Sequence, residues 1–177
     1  VTTLETLGAL KLNGVDVTLN QVISAADITA GKLTYTPVAN GNGTGYASFG
    51  FKVSDGIQNS ASAYTMTLNV TPVNDAPTGA VTISGTATQG QTLTASNTLA
   101  DVDGLGTISY QWLADGTAIT GATASTFTLT QAQVGKAMSV KASYTDSQGT
   151  AESKISLATT AVANINDAPT ASNRAVT

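Results

Sequence analysis

The sequence contains no cysteine and no histidine. Disulfides, zinc sites and Cys- or His-based nucleophilic catalysis are therefore excluded, and with them any Ser/His/Asp triad. Charged residues are scarce, at 10 %, and aromatic residues scarcer still, at 5 %. So few aromatics argue against a carbohydrate cleft of the kind a glycosidase needs. The net charge is −4 and the pI about 4.4, which speaks against a nucleic-acid partner. No apolar run approaches the ~20 residues of a helical membrane span, so direct membrane insertion is not expected. No Gly-rich phosphate loop precedes a helical pattern.

What is present points to β structure. Hydrophobic residues make up 41 % of the 177 residues, and Thr, Ala, Ser and Gly fill much of the remainder. That balance suits short, pleated strands better than helices built from Glu, Lys and Leu. The acidic residues are skewed: all are Asp except Glu5 and Glu152. Asp favours turns and caps, but short carboxylates on loops are also what calcium uses. A small extracellular domain without disulfides needs another staple, and a metal ion is one.

The motif Asn-Asp-Ala-Pro-Thr occurs twice, at 74–78 and 166–170, a period of 92 residues. Such a period is too long for a solenoid and right for an array of sandwich domains. Pro77 and Pro169 block helix and hold the preceding Ala extended, so each motif reads as a short, stiff linker. Between the motifs apolar residues alternate. Met138, Val140, Ala142 and Tyr144 form one stripe, as do Ile108, Tyr110 and Trp112, and Phe127 and Leu129. In the first segment Phe49, Phe51 and Val53 form a stripe, and Tyr64, Met66, Leu68 and Val70 another. Period two between Gly-, Asn- and Asp-containing turns predicts an all-β chain of two tandem Ig-like/cadherin-like antiparallel β-sandwiches. Single helical turns are expected only near Ser24–Ile28 and Gln131–Val134.

The expected domains are 1–78, ending in the linker 74–78; 79–169; and 170–177 as the start of a following repeat. Seven strands are expected in the second, near 80–85, 91–97, 107–114, 117–120, 124–130, 137–145 and 150–163. Trp112 falls on the third, where it reads as a core residue in preference to a sugar-stacking platform. One period before Asn74 lies outside the chain. The first domain is thus expected to lack its N-terminal strands, which either precede this window of a longer array or come from another chain.

Strand direction then decides which loops meet. With strands alternating down and up, the loops after the second and sixth strands lie at the end where the linker enters. Those loops carry Asp101-Val-Asp103-Gly104 and Asp146, and the linker carries Asn74 and Asp75. Carboxylates brought this close repel unless a cation neutralises them. Ca2+ takes six to eight oxygens from such groups, whereas Mg2+ keeps its waters. The bland alternative is that these are turn and cap residues. By the same topology Asp55 is a half-site in the first domain, and Asn166 with Asp167 a half-site at the second linker. Asp16, Asp27 and Asp115 read as ordinary turn residues.

Several stretches carry a family resemblance. Gly8-Ala-Leu-Lys-Leu-Asn-Gly, Ile23-Ser-Ala-Ala-Asp-Ile, Leu33-Thr-Tyr-Thr-Pro and Phe49-Gly-Phe-Lys-Val-Ser-Asp-Gly resemble the cadherin-like repeats of large bacterial RTX-type adhesins. Gly85-Thr-Ala-Thr-Gln-Gly-Gln-Thr-Leu, Tyr110-Gln-Trp and Tyr144-Thr-Asp resemble the Ig-like repeats found in the same giant proteins. The linker is similar to the junction motif of animal cadherins, which implies Asn74 and Asp75 as ligands. Gln89 departs from the pattern, standing where such repeats often have Glu. The resemblance implies calcium at domain junctions, secretion to the bacterial cell surface, and a non-catalytic spacer role in biofilm-type adhesion. The implied partners are adjacent repeats of the same polypeptide. Two other classes stay open: direct binding of a polysaccharide or protein, and a strand-exchanging fibre subunit that pairs with other copies of the chain.

Overall fold

A computed structural model describes residues 1–166. The chain divides into two compact units, Val1–Val73 and a second that begins at Asn74. Residues 74–78 therefore belong to the second unit. The described chain is almost entirely β, and every pairing between its strands is antiparallel.

In the first unit β1 (Ala9–Leu12) and β2 (Val15–Asp16) form a hairpin whose turn is Asn13-Gly14. Both turn residues have positive φ, 51° and 79°, the twist that matches two antiparallel strands. Lys11 and Asp16 pair across it at 3.4 Å. A short helix α1 (Ala25–Thr29) follows, its N-terminus capped by Ser24 Oγ, which accepts the Asp27 N–H at 3.0 Å. β3 (Leu33–Thr36) then returns to pair with the other side of β1. β4 (Gly43–Phe51) and β5 (Tyr64–Val70) form a separate two-stranded ladder. Leu10, Val17 and Phe49 are the buried apolar cluster of this unit, with Leu33, Tyr35, Phe51 and Leu68 against them. This core is thin. Met66, Val53, Val22 and Ile28 stay exposed and, with Phe49 and Phe51, line a groove of about 680 Å³.

Among its described residues the second unit has seven strands: β6 (Val81–Ser84), β7 (Thr92–Asn97), β8 (Ser109–Ala114), β9 (Thr117–Ala118), β10 (Thr126–Thr128), β11 (Met138–Thr145) and β12 (Ala151–Ile155). They form two sheets, ordered β10-β7-β6 and β12-β11-β8-β9. Residues from both sheets enter one buried cluster, which is why β6, β7, β10 and β11 alternate apolar and polar positions. β11 shows this plainly. Met138, Val140 and Ala142 are fully buried, with Tyr144 close behind. Trp112 on β8 is also fully buried, packs on Phe127 at 5.8 Å between ring centroids, and donates Nε1–H to the Ala124 carbonyl at 2.9 Å. A Trp enclosed in this way presents no face to a sugar.

The strand expected over 150–163 ends at Ile155. Beyond it, Ser156 Oγ and Thr159 Oγ1 accept the Val140 and Met138 N–H groups, at 3.1 and 3.0 Å. Side-chain oxygens thus replace ladder carbonyls along that edge of β11, and the chain leaves the regular pairing.

Candidate cation site

Three pieces of the second unit meet at one end of its sheets. The entering segment pairs with the residues after β7 through Thr78 and Ala100, whose N–H groups and carbonyls exchange bonds of 2.8 and 3.3 Å. That places Asn74 and Asp75 beside the loop Asp101–Gly104. The turn Asp146–Thr150, between β11 and β12, closes on the same loop: Ser147 N–H reaches the Asp103 carbonyl at 3.2 Å. Two glycines permit the approach. A Cβ on Gly106 would fall on the Thr145 carbonyl, and one on Gly104, at φ 100°, on the Ser147 side chain.

Asp103 is the hub of this arrangement and is buried. Its Oδ2 accepts the Asp75 N–H at 2.6 Å and its Oδ1 the Gln148 amide at 2.7 Å. Asp101 Oδ1 accepts the Asp103 N–H at 2.9 Å, and its Oδ2 accepts the Tyr144 hydroxyl. Burial and that carboxylate together push the Tyr144 phenol well above its ordinary pKa of 10. Asp146 Oδ1 accepts two N–H groups of its own turn, from Gln148 at 2.9 Å and Thr150 at 2.7 Å. Asn74 donates its amide to Glu152 at 2.7 Å.

One oxygen stands apart. Asp146 is only 6 % exposed, and its Oδ2 is buried with no hydrogen-bond partner. It is the sole orphan of this kind among the described residues of the second unit; Glu5 Oε2 and Thr2 Oγ1 are those of the first. Leaving such an atom unsatisfied costs about 1–3 kcal/mol, more when it is charged. Nor is the charge balanced by a side chain. Among the described residues the ion pairs are Lys11–Asp16 and Lys32–Asp27, both in the first unit. The carboxylates of Asp101, Asp103 and Asp146, with the carbonyls and amide beside them, are the hard oxygen donors that calcium takes. Asp103 and Asp146 would hold it, with Asp101 and the Asn74–Asp75 segment flanking. Among the described residues no three carboxylates converge in ready ligand positions, so side chains would have to turn to do so.

The structure thus brings the segments that carry Asn74, Asp75, Asp101, Asp103 and Asp146 to one end of the sheets, without converging their side chains on one point. It does not bring the other expected ligands to this cluster. Asp55 is exposed in the first unit, where its Oδ1 accepts the Ile57 and Gln58 N–H groups at 2.8 Å each, which hold its pKa below 3.8. Asn166 is exposed, and Asp167 lies outside the described residues. Three participants were not anticipated from the sequence: Tyr144, Gln148 and Glu152. Tyr144 had a signal, because it ends the apolar stripe of β11 two residues before Asp146. Gln148 and Glu152 had none, since a surface amide or carboxylate near a turn is ordinary. No family model and no curated protein matches the chain.

Proposed function

We propose that this chain is a non-catalytic extender module of a bacterial cell-surface adhesin, made of Ig-like/cadherin-like sandwich repeats and stiffened by calcium where one repeat joins the next. The observation that carries this reading is the buried, unpartnered Asp146 Oδ2, set among carboxylates without a cationic side chain, at the place where the chain enters the second unit. Calcium, when bound, would supply the positive charge that this group lacks. The chain's own residues do the rest. Asp103 fixes the entering backbone through Asp75, the Asp146–Thr150 turn holds Asp103, and Tyr144 holds Asp101. A cation held there would restrain the segment 74–78 and turn a hinge into a rigid joint. Asp55, Asn166 and Asp167 would serve further junctions with adjacent repeats, in a protein exported to the cell surface.

Small-angle scattering on this chain tests the reading. With calcium the maximum dimension should be long and well defined, and EDTA should broaden the distance distribution. Identical curves in both conditions would sink it.

A second reading, of the chain as a strand-exchanging fibre subunit, is favoured by the uncovered groove of the first unit. There the two-stranded β4–β5 ladder leaves Met66 exposed, and Tyr64 is exposed at the start of β5. A strand from another copy would cover that face. Sedimentation at rising concentration should then show association; a monomer throughout would discard it.

A further inference from the structure

We propose that Gln148 is an internal competitor for the cation, holding the site closed until the metal arrives. The inference rests on the cation reading above. Gln148 is exposed and sits at the third position of the Asp146–Thr150 turn. Its backbone N–H serves Asp146 Oδ1, whereas its side-chain amide crosses to Asp103 Oδ1 at 2.7 Å. One residue therefore addresses both buried carboxylates, and it gives Asp103 through an N–H dipole what a cation would give through charge. Each Asp103 oxygen thus carries one donor, Oδ2 the Asp75 backbone N–H and Oδ1 the Gln148 side-chain amide, and the side-chain donor is the one that can swing away for a metal. Asp146 Oδ2, by contrast, is buried without a donor. The two carboxylates thus differ: Asp146 offers a bare oxygen, and Asp103 offers one under an amide.

An interaction present only in the cation-free form stabilises that form and weakens cation affinity by the same factor. A hydrogen bond to a carboxylate, here solvent-exposed on the donor side, should set this factor at about three- to tenfold. Removing the amide should therefore lower stability without calcium and raise affinity for it.

The test is calorimetric titration of the full chain with calcium chloride, beside thermal melts in EDTA, for the wild type, Gln148→Ala and Gln148→Met. Gln148 is exposed and both variants keep its backbone N–H, so the fold should persist. Both are expected to melt lower in EDTA and to bind calcium about three- to tenfold more tightly. Weaker binding by both would make the amide oxygen a ligand and overturn the proposal. Unchanged affinity with a lower melting point would also overturn it, as the bond would then survive in the bound form. If the wild type itself takes up no calcium, the cation reading fails and this proposal with it.

Discussion

At the scale of single residues the pressing case is Asp146, whose two oxygens live in different worlds. Oδ1 is held by two backbone N–H groups and defines the turn; Oδ2 is buried and bare. Asp146→Asn keeps the turn acceptor and removes the charge. Thermal melts of this variant should show that calcium no longer raises the melting temperature, while the EDTA melt stays within about 1 °C of wild type or above it. Asp27 provides a pH case. Its hydrogen bond to Lys32, then that to Ser24, lowers its pKa below 3.8. A carboxyl held low in the folded state contributes stability above its unfolded value near 3.8, and that contribution disappears as pH falls through the folded value. An NMR titration should find the Asp27 carboxyl below 3.8, and Lys32→Ala should move it back up. Trp112→Ala, which empties the largest fully buried position, should cost about 3–5 kcal/mol in urea unfolding. Core roles of this kind were legible in the sequence because period two marks them. That the Asp101–Gly104 loop and the Asp146–Thr150 turn lie side by side was legible too, from strand direction. The hydrogen bonds that occupy their carboxylates were not: the β11 stripe marked Tyr144 as a neighbour but not its acceptor, and no spacing marked Gln148.

Among the elements, turns decide as much as strands do. β8 and β9 are joined at Asp115-Gly116, where φ is 49° and 78°, and Asp115 Oδ1 also accepts the Ala137 N–H at 2.9 Å. Gly116→Ala places a side chain in left-handed backbone and should cost about 1 kcal/mol, read from the shift of the urea midpoint at unchanged slope. The strands of the second unit lie where alternation put them, because both sheets bury one face and the pattern records which. The exception is instructive. Beyond Ile155 the sequence Ser156-Leu-Ala-Thr-Thr-Ala-Val-Ala no longer alternates, and Ser156 and Thr159 turn their hydroxyls onto β11. Where alternation stops, local side-chain bonds can take the place of regular pairing. In the first unit the stripe Phe49-Phe51-Val53 runs from buried to exposed, for Val53 is 55 % open. There the pattern anticipates a covered face, and the described residues cover only part of it.

For the molecule as a whole, the two units differ in what sustains them. The second joins both of its sheets in one cluster with several fully buried side chains, whereas the first rests on Leu10, Val17 and Phe49. Differential scanning calorimetry should resolve two transitions, the lower belonging to residues 1–73. Since the candidate site lies within the second unit, calcium should move the upper transition and leave the lower in place. A single transition that shifts as one would count against the independence of the units, and an upper transition that calcium leaves in place would count against the site. The position of Trp112 supplies the means to assign them. It is the only tryptophan in the chain, and it is enclosed in the second unit while the first has none. Intrinsic tryptophan emission is therefore an optical label that this chain carries for one unit alone. A red shift on heating dates the opening of the second core, blind to whatever the first has already done.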